Sequence, residues 1–227
     1  AGAGFPRSLR RLVAVPGEDY SRDVAAGLAI RTEPGTGERV EKDSQVTVVI
    51  SLGPASHDIG ALSGMSLDEA TRTLEQLYIT SSGDPSQVFT DTPAGSVVAA
   101  SITPPGGGDA VDCTKGCAAF EGSTVSFEVS AGAIPDVSGR SVGDATSALA
   151  AVKLSVTTDE EYNDDVAEGK VIRVTESESP VHPGDTVTLV VSKGPEPIAI
   201  PSDVVGSTIR DAVDTLDADL FQIFEEE

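Results

Sequence analysis

Few residues in this chain have the type and spacing that chemistry requires. Gly35-Thr36-Gly37-Glu38-Arg39-Val40 opens like a phosphate-covering glycine loop, but its third glycine is missing. No His-Arg-Asp or Asp-Phe-Gly follows, so phosphoryl transfer would have neither base nor metal-holding aspartate. A turn accounts for the segment. Acyl-enzyme chemistry of the Ser-x-x-Lys kind also lacks its parts: no lysine sits three residues after a serine, and none precedes Thr-Gly. His57 and His182 are the only histidines. They lie far apart in sequence and read as solvated turn residues, not as a triad or zinc site. The run Asp159-Glu160-Glu161-Tyr162-Asn163-Asp164-Asp165 lacks the spacing of a calcium loop and reads as a solvated loop between strands. Gly106-Gly107-Gly108 has no helix cap after it, so it reads as an insertion and not as a phosphate cradle. No catalytic residue, metal or cofactor is expected.

Cys113-Thr114-Lys115-Gly116-Cys117 is more informative. Two cysteines cannot complete a four-ligand zinc site, and no histidine lies near them in sequence. Both sit inside one insertion, which reads as a local disulfide in an oxidising compartment; the alternative is two free thiols. Gly116 would let so short a loop turn.

The charge balance narrows the partners. Fifteen Lys+Arg against 37 Asp+Glu give a net charge of −22. Phosphate backbones and anionic lipid surfaces are bound by clustered cations, so neither nucleic acid nor a membrane surface is an expected partner. Apolar runs are only a few residues long, too short for a membrane span or a signal segment.

The elements that position these residues recur. Asp43–Gly53, Gly122–Gly132 and Gly184–Gly194 align without gaps, each a turn, a β-rich strand and a Ser-x-Gly stop. A second column starts helices: Gly64-Met65-Ser66, Gly139-Arg140-Ser141 and Gly206-Ser207-Thr208 are each followed by an acid three residues after the hydroxyl. That is a capping box or its aspartate variant. A third column opens strands after Gly27, Gly95 and Gly169. One unit is thus helix, strand, loop, strand, turn, strand, an α+β layer with one helix on a three-stranded sheet.

Ile134-Pro135-Asp136-Val137, then Gly169-x-Val171-Ile172, then Pro183-Gly184-Asp185 and Val191-Ser192-Lys193-Gly194-Pro195 resemble a PASTA repeat, a unit associated with penicillin-binding proteins and serine/threonine kinases. The resemblance implies a linear array of such units. They would be a partial unit over 1–54 (strand half), a unit over 55–132 carrying the cysteine insertion, a unit over 133–195, and a partial unit over 196–227 (helix and first strand). The second unit departs from the pattern, opening His57-Asp58-Ile59 in place of Pro-Asp-Val.

By resemblance the chain is the extracellular sensor region of a bacterial transmembrane serine/threonine protein kinase, itself not an enzyme. It would bind peptidoglycan fragments (muropeptides) and relay this to a cytoplasmic kinase. The parent would be a single-pass membrane protein anchored by a segment outside these residues, at the outer face of the membrane and the cell wall. The alternatives are a passive spacer without a specific ligand, or the PASTA tail of a penicillin-binding protein.

Muropeptides carry carboxylates, so an acidic chain must meet them with particular cations. Arg31 and Arg173 occupy one column of the second strand, each after an isoleucine whose side chain alternation would send inward. Arg140 precedes the helix cap Ser141. These three arginines are the expected ligand contacts, against the plainer reading of solvated surface charges. The two partial units could also complement each other between molecules, giving self-association.

Overall fold

The computed structural model describes residues 12–176, 178–200 and 202–218. They form two compact units, one running to Ile134 and including Pro180–Pro183, the other holding Pro135–Ser179 and the residues from Gly184.

The first compact unit contains two sheets and a ribbon. Its first sheet has β1 (Val13–Asp19), β2 (Ala29–Glu33) and β3 (Gln45–Ser51) in the order β1-β3-β2. The central β3 runs parallel to β1 and antiparallel to β2. The second sheet follows β4 (Ser56–Ile59) and α1 (Leu67–Glu75). Its strands are β5 (Thr80–Ser81), β6 (Ser86–Val88), β7 (Val97–Thr103), β8 (Val111–Asp112) and β10 (Thr124–Ser130), with β9 (Cys117–Phe120) outside it. Here β10 is central: β5 and β6 pair parallel with it, β7 pairs antiparallel, and β8 extends the sheet beyond β7.

The second compact unit has α2 (Val142–Ala151), then β11 (Ser155–Glu161), β12 (Val171–Glu176) and β13 (Thr186–Ser192) in the order β11-β13-β12, and then α3 (Ile209–Ala218). It carries the same parallel and antiparallel pairing as the first sheet. The expected α+β unit is therefore present, and its three helices start where the caps place them. Ser66 and Glu69 cap α1 reciprocally, Asp144 N–H donates to the Ser141 hydroxyl, and Asp211 N–H to that of Thr208. The last strand expected from sequence, Phe221–Ile223, lies outside the described residues.

The helices decide which sheet faces are dry. Val125, Phe127 and Val129 of β10 are buried, as are Val187, Leu189 and Val191 of β13. Ala70 and Leu74 of α1 and Ala145 and Leu149 of α2 are fully buried. The matching residues of β3, Val46, Val48 and Ile50, are only half-buried, since no helix stands among the described residues before them.

The middle sheet departs from expectation in two ways. It exceeds three strands, because the insertion supplies β8. The unusual opening around His57 is itself strand β4, paired antiparallel with β9 just past the cysteines. Ser56 pairs with Phe120 and Ile59 with Cys117. The sulfurs of Cys113 and Cys117 lie at disulfide distance, with Cys113 buried in the core beneath α1. Gly116 between them has φ +104°, and a Cβ there would stand 2.8 Å from the Ile59 carbonyl oxygen, so both the turn and the close approach require glycine.

The Ser-x-Gly stop has a physical cause. Ser51, Ser130 and Ser192 are buried polar residues, and each hydroxyl donates to a carbonyl of the loop before the second strand: Val24 at 2.6 Å, Thr92 at 2.8 Å and Val166 at 2.5 Å. Each also accepts from the N–H of the glycine two residues on, which turns the chain away with positive φ. One hydroxyl thus ties the loop, the central strand and the exit turn together. Ser192→Ala leaves a buried carbonyl and an N–H without their partner, which costs about 1–3 kcal/mol. Urea denaturation is expected to show that loss, with α2 and its sheet melting first.

Candidate ligand-binding surface

The second strand of each repeat carries a β-bulge at one place. The pairing skips Ile30 in β2 and Ile172 in β12, and β7 skips Val98. A bulge re-aims the side chains beyond it. Simple alternation is therefore corrected: Val171 is the buried residue, Ile172 is only half-buried, and Arg173 projects to the surface.

Arg173 does not project alone. Its two terminal nitrogens donate to the two carboxylate oxygens of Glu161, the last residue of β11, and the Nη2–Oε2 bond is 2.8 Å. This is the fork-on-carboxylate geometry that suits guanidinium best. Arg31 makes the matching arrangement, with Nη1 3.0 Å from Asp19 Oδ2 at the end of β1 and Nε 2.9 Å from Glu33 Oε1. The Arg173 hydrogen bonds hold the Glu161 carboxyl below its ordinary range, and the Arg31 hydrogen bond does the same for Asp19, aided by the Tyr20 N–H. Arg173 is pushed up by its hydrogen bonds to Glu161, and Arg31 by those to Glu33 and then Asp19. Each keeps N–H donors beyond those used, so each can still meet an anion, but in competition with its own carboxylate.

Arg140 is different. It is exposed and has no ion-pair or side-chain hydrogen-bond partner among the described residues. Asp136, held below its ordinary range mainly by the Ser138 N–H, also feels the Arg140 charge. The α2 N-terminus beside Arg140 already holds Asp144, whose Oδ2 accepts from the Ser141 hydroxyl at 2.7 Å. The backbone links Arg140 to the start of β12 through a bond from the Val171 N–H at 3.0 Å. Arg31 belongs to the other compact unit.

The ion pairs have a signature inside the sequence itself. The middle repeat carries Val88 in place of the carboxylate and Ala99 in place of the arginine, so both members vanish together. A second charged cluster links the first sheet to the middle repeat. Glu121 accepts from His57 Nε2 at 3.0 Å and lies 3.6 Å from Arg22 Nε, while the Arg22 guanidinium sits 3.7 Å from the Tyr78 ring centroid. His57 is thus a strand residue with a carboxylate partner, not a solvated turn residue, and His182 Nε2 lies 3.7 Å from Glu128. Asp159, Glu160 and Glu161 likewise lie on β11 and not in a loop.

Among the described residues, five carboxylates are held down in the folded state: Asp19, Glu69, Asp112, Asp136 and Glu161. Their contribution is complete above the ordinary carboxylate range and lost as pH falls through the depressed folded values. The urea midpoint is therefore expected to hold steady at neutral pH and to drop below about pH 4. Glu161→Gln should flatten part of that drop; an unchanged profile would mean that the Arg173 pair adds nothing.

The PASTA domain family matches residues 7–52 and 132–193. A Corynebacterium glutamicum protein named "Probable serine/threonine-protein kinase PknB" is 29% identical over 183 residues, covering 78% of this chain and 26% of that protein. A Streptomyces coelicolor protein of the same kinase description is 29% identical over 197 residues, covering 84% of this chain and 27% of its own length. The chain therefore spans about a quarter of the length of the curated relatives it matches. Among solved structures, the entire extracellular region of the Ser/Thr kinase PrkC from Staphylococcus aureus is 29% identical, with 83% of this chain and 65% of that one covered at a TM-score of 0.40.

Proposed function

This chain belongs to the PASTA domain family, and on that premise we propose that it is the extracellular sensor region of a bacterial serine/threonine kinase. It binds peptidoglycan fragments and relays their presence to a kinase domain on the cytoplasmic side of a single membrane span. The observation that carries this reading is the pattern of the alignments: the relatives are described as kinases, and this chain matches only about a quarter of each. The match is to repeat units that hold no kinase motif. Muropeptide carboxylates meet the exposed guanidinium of Arg140, with Arg173 a competing contact that ligand must draw from Glu161.

One observation favours a passive spacer instead. Arg31 and Arg173 are already neutralised by acids of their own repeats, which leaves less cationic surface for a wall ligand. Co-sedimentation with purified peptidoglycan separates the two readings. The sensor reading expects the chain to pellet with the wall material, and less so for Arg140→Ala and Arg173→Ala. A chain that stays in the supernatant supports the spacer.

A further inference from the structure

An open cleft of about 380 Å³ lies in the second compact unit, where the first and last strands of its sheet end. Glu160, Tyr162, Glu168 and Lys193 line it, together with Gly169 and Pro197. The Lys193 ammonium sits 4.4 Å from the centroid of the Tyr162 ring. It has no ion-pair partner among the described residues, although two carboxylates share the cleft. The ring holds the cation in place and leaves its three N–H donors uncommitted.

The other repeats show that this polarity is particular to the third. The residue before the strand-opening glycine is Ala26 in the first repeat and Ala94 in the second, but Glu168 in the third. Each of the three sets its Cβ 3.6–3.7 Å from the site where a Cβ on the exit glycine would stand, so the positions are equivalent in space as well as in sequence. Within the Ser-x-Gly stop the middle residue is Leu52, then Ala131, then Lys193. Two positions that are apolar twice become an acid and a base together, around one cleft. The aromatic column persists as Tyr20, Phe89 and Tyr162.

We propose that this cleft binds the free end of a short peptide as a zwitterion, its carboxylate on Lys193 and its ammonium between Glu160 and Glu168. A ligand that is purely anionic meets two carboxylates for one ammonium, and a purely cationic one pairs with the carboxylates but leaves the Lys193 ammonium without a partner. A zwitterion satisfies both signs. Two extended residues span about 7 Å, and a cleft of this volume is in the range of small-molecule sites. The Tyr162 ring, 44% exposed, offers its free surface to the peptide side chains. The proposal goes beyond the peptidoglycan reading, because its ligand is defined by the charges of the cleft alone.

The test is an NMR titration of the amides of Gly169, Val191 and Lys193 in the full chain with the dipeptide alanyl-alanine, its N-acetylated form and its C-terminal amide. The free dipeptide is expected to shift these amides and to bind roughly threefold to fivefold more tightly than either blocked form. Lys193→Met should abolish that preference and Lys193→Arg should retain it; both substitutions are at an exposed side chain. Equal affinity for the three forms, no shift with the free dipeptide, or an unchanged titration in Lys193→Met each overturns the proposal. Wall sedimentation tests the sensor reading separately, so failure of one leaves the other standing or falling on its own result.

Discussion

Replacing Leu149 with alanine is expected to unfold the repeat that α2 covers. Leu149 of α2 is fully buried, as are Val187 and Leu189 of the central strand β13 in the same compact unit. Removing a buried leucine costs about 3–5 kcal/mol, because the surrounding side chains close the cavity only in part. A single small core supplies about that much in total, so the loss leaves nothing to hold the sheet. Amide resonances of residues 135–194 should lose their dispersion, while those of the middle repeat, with its own core beneath α1, should keep theirs. A variant whose unfolding free energy from urea denaturation falls by less than about 1 kcal/mol would mean that α2 is not the main cover of this sheet.

The second large effect concerns the cysteines. Unfolded but unreduced protein is expected to titrate with no free thiol, since Cys113 and Cys117 are at bonding distance. Two reactive thiols would refute the bond. Its loss should be felt locally. So short a closed loop limits the unfolded chain by only about 2 kcal/mol, but Cys113 is packed in the core and Cys117 opens β9. In the Cys113→Ser variant the amides of Ser56–Ile59 should exchange with solvent much faster than in the parent, because among the described residues β4 has its ladder only on β9.

Much of this architecture was legible in the residues. Ser66, Ser141 and Thr208 announced three helices because a hydroxyl cap followed by an acid has a local cause that needs no tertiary context. The Ser-x-Gly stops announced three central strands for a similar reason: one buried hydroxyl and one positive-φ glycine do a job that few other residues can. The β4–β9 ribbon was not legible. Its two strands are separated by a helix and four other strands, and nothing local in Ser56-His57-Asp58-Ile59 says what it pairs with.

The candidate contacts fared differently again. Arg31 and Arg173 were placed on the surface by their column, but their neutralisation by Asp19 and Glu161 depends on a cross-strand register that a bulge has shifted. A signal did exist. The acid and the arginine are present together in two repeats and absent together in the middle one, which is how a physical pair behaves. The polarity of the Tyr162 cleft could have been found the same way, by asking where the third repeat alone departs from two apolar positions.

An NMR-monitored titration of the chain with purified soluble muropeptides tests recognition of the cell wall most directly. The sensor reading predicts saturable shifts confined to the repeat of residues 133–195, centred on Arg140 and Arg173, and weakened in Arg140→Ala. Spectra that do not change at any muropeptide concentration would contradict it and leave a spacer.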